Sequence, residues 1–372
     1  MSKTINGIDG VARHYGFETG EFPPVHIDNE SPFCLEEKTS TLKSYLSDNF
    51  IKKDYGVSMI YNNQKSLKNN SKKESPNLKN FSFDIVGIKN GIAEAIIIQT
   101  AIVALREEGF KDVSIDINSI GDKESFTLFK NELFDYYKKR VSELHPNCRK
   151  LSKKNIFNLL TCEHEECRSL KVNAPKSIYF LSENSQRHLK EILEHLESSG
   201  ITYCINDSLI SSGNHFSKVI FEIKSKDDKK DKEILLGKGG RYDELARKII
   251  KRKELTAVGV SLRIEKIKDK QTKLPSEKKP KFYFIQFGPK AKLQSLSLIE
   301  LLRQSGLVIK QNLYMNKFSE QIEVAKRSDI PYAIILGQKE ASDDTVIVKD
   351  LRKASQEIIP TCSLLPYLRQ LK

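Results

Sequence analysis

The sequence predicts a mixed α and β chain built as two units joined by a charged linker. Three observations carry this. The run "GIAEAIIIQTAIVAL" (91–105) is apolar on all sides and lies between two strand-like runs, "FSFDIVG" (81–87) and "VSIDINS" (113–119). The stretch "KDKQTKLPSEKKPK" (268–281) is charged, contains proline and has no hydrophobic period, as a linker should. Beyond it strands and helices alternate to the end of the chain, the pattern of a small α/β domain with a mostly parallel sheet.

Taken in order, residues 5–15 read as a short helix leading into the extended "FETGEFPPVHI". "NNQKSLKNNSKKESPNLKN" (62–80) is polar and basic without a period, and reads as a loop. The strand 81–87, a helix over 91–108 and the strand 113–119 follow, then a mainly helical block from 123 to 199. Strands return in "ITYCIND" (201–207), "SKVIFEIKS" (217–225) and "DKEILLG" (231–237). A helix is expected over 242–253 and a strand in "AVGVSLRIEKI" (257–267). After the linker come the strand "KFYFIQFG", the helix "KAKLQSLSLIELLRQSG", the strand "LVIKQNL", the helix "SEQIEVAKRSD" and the strands "PYAIILG" and "DTVIVKDL".

The chain has 372 residues, with 62 Lys and Arg against 49 Asp and Glu, a net charge of 62 − 49 = +13. A charge of that size attracts polyanions, which makes nucleic acid a natural partner. No apolar run reaches the roughly 18 to 20 residues of a membrane span, and the first residues lack the apolar segment of a secretory signal. A cytoplasmic location and reduced cysteines are therefore expected. Of the six cysteines, Cys148, Cys162 and Cys167 cluster with His164, a thiolate and imidazole set suited to zinc. The stretch "LLGKGGRYDEL" (235–245) has two adjacent glycines before Arg241, Tyr242 and Asp243. Bare glycines suit either a tight strand-to-helix turn or close approach of a backbone to a ligand.

The order of segments resembles the histidyl-tRNA synthetases, a family of class II aminoacyl-tRNA synthetases. "GGRYD" is similar to the second histidine signature of that family, and "DINSIGDKESFTLFKNELFDYY" to the strand and helix entering its insertion domain. "NCRKLSKKNIFNLLTCEHEEC" and the residues after it resemble that insertion, and "IPYAIILGQKEASDDTVIVKDLR" resembles the anticodon-binding domain. The resemblance implies an α+β class II catalytic domain, an antiparallel sheet with flanking helices, over 1–122 and 200–267. It implies a helical insertion over 123–199, a linker over 268–280 and an α/β anticodon-binding-like domain over 281–372. "VARHYGFETGEFPPVHI" looks like the first class motif, which implies a homodimer.

Set against the family's catalytic motifs, the chain departs at three places. Ser66 stands where the second motif has an arginine for the α-phosphate, and residues 56–80 contain no arginine. "SSGNHF" replaces the first histidine signature, so that Ser211 stands for its arginine and His215 for one of its tyrosines. Loss of such a charge-stabilising donor costs about 3 to 4 kcal/mol at a transition state. In the third motif Arg263, Glu265 and Lys266 form the nucleotide-site remnant, with Arg263 where the adenine needs room and Lys266 lacking a guanidinium plane. Glu36, Asn80, Asp84, His215, Gly239, Gly240, Arg241 and Tyr242 form the corresponding histidine-pocket remnant. In the last domain Lys317, Gln321, Lys326, Arg327, Lys349 and Arg352 offer donors to RNA phosphates and bases.

These features imply a catalytically degenerate member of the family that binds tRNA or another structured RNA, rather than DNA, or regulates a partner. The alternatives are an active, divergent histidine–tRNA ligase and a histidine-sensing regulatory subunit. ATP and Mg²⁺ are required only if the chain is an active ligase; otherwise no cofactor is expected beyond zinc at the cysteine cluster.

Overall fold

The computed structural model describes residues 7–19, 22, 35–47, 56–64, 78–210, 216–227, 232–252, 254–265, 279–353 and 355–371. The first part of the chain contributes α1 (Ile8–His14), β1 (Glu18–Thr19), α2 (Leu35–Ser47), β2 (Ser58–Gln64), β3 (Leu78–Val86), α3 (Ile92–Glu107) and β4 (Val113–Gly121). Helices α4 (Lys123–Lys138), α5 (Pro146–Lys154), α6 (Glu165–Val172) and α7 (Glu183–Ser198) follow. Then come β5 (Tyr203–Ile205), β6 (Ser217–Asp227), β7 (Lys232–Arg241), α8 (Asp243–Ile250) and β8 (Ala257–Glu265).

These strands form one sheet in the order β1-β2-β3-β8-β7-β6-β4-β5. The six central strands pair antiparallel, and β1 and β5 add parallel at the two edges. Side chains alternate between the two faces. One face carries Phe81, Phe83, Val258, Val260, Leu262, Phe221, Ile223, Ile115 and Ile117, packed in a single core with the buried residues of α3. This is why α3 is apolar all round: one side covers the sheet, while α1 and α7 close over the other. Each fully buried Ile or Leu there adds roughly 1.5–3 kcal/mol. The opposite face carries Asn80, Ser82, Asp84, Ser261, Arg263, Lys238, Glu222 and Asp116 in register across neighbouring strands. A polar face on a sheet whose reverse is sealed is where a ligand would sit.

The helical block packs in two parts. Phe129, Leu133, Cys148, Phe157, Cys167 and Leu170 belong to a small core of their own. Leu189, Ile192 and Leu196 of α7 join the main core beside α3.

The last part comprises β9 (Phe282–Gln286), α9 (Pro289–Gln304), β10 (Ile309–Gln311), α10 (Phe318–Arg327), β11 (Tyr332–Leu336), α11 (Gln338–Ser342), β12 (Thr345–Asp350), β13 (Gln356–Pro360) and α12 (Leu364–Gln370). Its sheet has the order β10-β9-β11-β12-β13. It docks on the core through α9: the Tyr15 hydroxyl donates to Glu300 at 2.9 Å, His14 Nε2 lies 3.0 Å from the Ile299 carbonyl, and Arg303 reaches Glu107 at 3.0 Å. The stretch resembling the first class motif thus has His14, Tyr15 and Phe17 buried within the chain itself.

Three expectations change. Residues 62–64 and 78–80 are strand, pairing Gln64 with Asn80; Asn62 and Asn80 are buried on the polar face, whereas Lys79 points to the other side and pairs with Glu108 at the end of α3. The glycine pair lies inside β7, with the turn delayed to Tyr242, the N-cap of α8. The small sheet is parallel only over β10, β9 and β11; β12 and β13 return antiparallel.

Candidate functional site

The polar face centres on Asp84, which is fully buried. Its Oδ1 accepts from Lys38 Nζ at 2.8 Å and from the Tyr242 hydroxyl at 2.7 Å, and Ser82 Oγ donates to Oδ2 at 3.3 Å. Lys38 comes from α2, its ammonium wholly buried between Asp84 and Glu37, whose Oε1 lies 3.6 Å away. Burial raises the pKa of Glu37; Lys38 offsets this in part, while Asp84 adds to it. Burial together with the adjacent Asp84 carboxylate raises Tyr242 well above its ordinary value, so it is a hydrogen-bond donor here. Gly259 faces Asp84 across the pair β3–β8, and a Cβ on it would fall 1.8 Å from Asp84 Oδ1. A glycine is therefore required for the carboxylate to lie against the sheet.

Asn80 is engaged in the same way. Its Oδ1 accepts from Arg263 Nε at 3.1 Å, across the register pair that joins β3 and β8. Towards the other edge Lys238 pairs with Glu222 at 2.9 Å and Lys224 with Asp116 at 2.5 Å. The chain's own basic side chains thus engage the Asn80 amide oxygen and the Asp84 carboxylate, and continue across the face.

The glycine pair serves internal packing. A Cβ on Gly239 would meet the Phe221 ring at 2.5 Å, and one on Gly240 would meet the Val219 carbonyl at 2.5 Å and Phe216 at 2.7 Å. Arg241 turns away from the polar face. It is fully buried, its Nε and Nη2 each 2.7 Å from the two oxygens of Glu94 on α3, and its Nη1 donates to the Ile88 carbonyl at 3.0 Å. His188 of α7 completes a triad at 2.8 Å from Glu94. Burial alone would raise Glu94, but Arg241 and His188 reverse this and hold it at about 2.

Several expected residues stand apart from the site. Arg241 is a correction: its guanidinium is consumed by a buried ion pair behind the sheet. Glu36 is another, since it points outward on α2 while its neighbour Glu37 is the buried one. Glu265 is exposed at the end of β8. Ser66, Ser211, His215 and Lys266 lie outside the described residues. Lys38, Glu37, Glu94 and His188 were not anticipated as members of these networks.

In the last domain Lys326, Arg327 and Arg352 are exposed at one end, and the Arg352–Asp329 contact of 3.5 Å ties the β12–β13 turn to the end of α10. Lys349 is half-buried on β12 beside them. Lys317 is at the opposite end of α10, paired with Glu320 at 3.0 Å. Gln321 is a correction: it is fully buried, its Nε2 donating to the Gln286 carbonyl at 2.7 Å and its Oε1 accepting from the Gln286 amide at 3.2 Å. It locks α10 to β9 and has no donor left for RNA. The four cluster residues do come together: Cys162 Sγ lies 3.2 Å from Cys148 Sγ and 3.2 Å from His164 Nδ1, and Cys167 lies with both thiols within 4.8 Å. Among the described residues no helix is long and apolar enough to cross a membrane.

A mainly antiparallel sheet over a buried helix, a helical insertion and a small α/β domain define a class II aminoacyl-tRNA synthetase fold. Residues 281–371 match the family model described as "Anticodon binding domain". The chain is 28% identical to a histidine–tRNA ligase of Halothermothrix orenii over 289 residues, covering 77% of this chain and 68% of that protein. It is 30% identical to one from Fervidobacterium nodosum over 281 residues, covering 74% and 66%. The fold matches the crystal structure of apo S. aureus histidyl-tRNA synthetase with a TM-score of 0.50 and 18% identity, over 97% of this chain and 93% of that one. The chain belongs to the histidyl-tRNA synthetase family.

Proposed function

We propose that this chain is a member of the family that has given up activating histidine and acts by binding tRNA or a similarly structured RNA, as a homodimer in the cytoplasm. The observation that carries the reading is Lys38: its buried ammonium occupies the Asp84 carboxylate, where an incoming amino acid would need an acceptor. Arg263 on Asn80 closes the neighbouring position. Without an arginine in 56–80, and with Ser211 and Lys266 at two further charge-handling positions, the phosphates and the reacting carboxylate lack their guanidinium partners.

Support for the RNA role is the net charge of +13, the anticodon-binding match and the exposed Lys326, Arg327 and Arg352. Binding of a tRNA transcript is measured by filter retention against salt for the full chain and for a Lys326→Glu/Arg327→Glu/Arg352→Glu variant. The reading predicts affinity that falls steeply with salt and drops at least about tenfold in the variant, with a shallower salt slope. Salt-insensitive binding, or a variant equal to the parent, contradicts it.

A further inference from the structure

The cysteine cluster lies far along the chain from the polar face and has a logic of its own. It is built from two copies of one short pattern, His145-Pro-Asn-Cys148 and His164-Glu-Glu-Cys167, with Cys162 preceding the second. In each copy the histidine is the N-cap of a helix, α5 or α6, and the cysteine is its third residue. Both thiols therefore sit in the first turn, where the helix dipole favours a thiolate. The two histidine rings stack with centroids 3.9 Å apart, which brings the two helix starts together.

The donor distances fit a metal. Zinc bonds of about 2.3 Å to sulfur and 2.0 Å to nitrogen, at tetrahedral angles, place sulfurs about 3.8 Å apart and sulfur about 3.5 Å from nitrogen. Here Cys148 and Cys162 Sγ are 3.2 Å apart, and His164 Nδ1 is 3.2 Å from Cys162 and 3.5 Å from Cys148. The thiols of Cys148, Cys162 and Cys167 all lie within 4.8 Å of one another. Cys148 and Cys167 are also part of the small insertion core, whose buried hydrophobic residues all lie between 129 and 174. A core of that size commonly relies on a metal or a disulfide as a staple.

We infer that Cys148, Cys162, Cys167 and His164 bind one structural zinc ion that fastens α5 to α6 and stabilises the insertion, with His145 stacked against the ligand imidazole. Three thiolates and one imidazole exclude magnesium and calcium, which take oxygen ligands. All four protein positions are filled, so the ion is structural and takes no part in adenylate chemistry.

The test is elemental analysis of the full chain, purified without chelator or added metal, with Co²⁺ exchange of the same protein. The proposal predicts one zinc per chain and, after exchange, the intense visible and near-ultraviolet bands of a tetrahedral cobalt–thiolate site. Cys162→Ser and His164→Ala should each weaken zinc retention at least about tenfold, whereas Cys204→Ser and Cys362→Ser, both exposed and outside the cluster, should retain it. If the cluster variants aggregate, the cobalt spectrum of the unmodified chain still decides. A metal-free chain whose melting temperature ignores added zinc overturns the proposal, as does a Cys148–Cys162 disulfide in the purified protein. Zinc lost on His145→Ala but kept on His164→Ala overturns the assignment of His164.

Discussion

At the scale of single residues, the polar face is built around a buried ion pair. Lys38 and Asp84 are each fully buried, and an ion pair there is tolerated only because each neutralises the other. Lys38→Met is expected to destabilise the fold by about 3–5 kcal/mol, because Asp84 is left charged and sealed in. The double variant Lys38→Met/Asp84→Asn should recover more than half of that loss, read from urea unfolding midpoints. Additive losses would show that the pair is not coupled. Gly259→Ala should cost about 1–3 kcal/mol by overpacking, since its methyl falls on Asp84 Oδ1, while the exposed-side Gly109→Ala, with no atom within 4 Å, tests only its positive φ of 106°. Asp84 was legible as part of the strand 81–87, but its place and that of Asn80 in a site came only from the family resemblance, and the glycine pair was legible for its backbone freedom rather than as strand. Lys38 was not, because one lysine in a polar helix gives no sign of being buried.

At the scale of elements, the Glu94–Arg241–His188 triad pins α3 and α7 to the end of β7. Glu94 falls from its ordinary 4.5 to about 2. A depressed carboxylate contributes stability above its unfolded pKa and loses it as pH falls through the folded one. About 3 kcal/mol should therefore vanish between pH 4.5 and 2, a loss absent from the corresponding pH profile of Glu94→Gln. Burial likewise lowers His14 from 6.5 to about 4, against the backbone acceptor Ile299, with Arg303 adding to the shift and Glu300 opposing it. Kept neutral in the fold, His14 contributes stability above pH 6.5 and loses it as pH falls towards 4. Burial also lowers His195 from 6.5 to about 4, with Lys292 adding to the shift. The chain should thus weaken in two acid steps, the earlier one reduced in His14→Gln and removed only when His195 is replaced as well. Helix α3 was evident from its long apolar run, interrupted only by Glu94, Gln99 and Thr100 within 91–105. The strand at 62–64 does not show in the hydrophobic pattern because all three residues are polar, Asn62 being buried on the polar face and Asn63 exposed.

At the scale of the whole molecule, the two units are packed together, and α9 covers residues of α1 that would otherwise face solvent. The segment order made the family architecture legible. The docking of α9 was not, because it depends on Glu300, Arg303 and Gln311 meeting residues from about half to about four fifths of the chain away. With Arg303 only 4% exposed and shared between Glu107 and Glu300, Arg303→Ala is expected to cost about 3–5 kcal/mol and to split one unfolding transition into two, as followed by calorimetry. A single unshifted transition would contradict that coupling. The central claim concerns chemistry, and it is tested most directly by histidine-dependent ATP–pyrophosphate exchange on the purified full chain with Mg²⁺. With Lys38 on Asp84 and Arg263 on Asn80, exchange should stay at the background seen without histidine. Exchange at the rate of a working histidine–tRNA ligase would contradict the account.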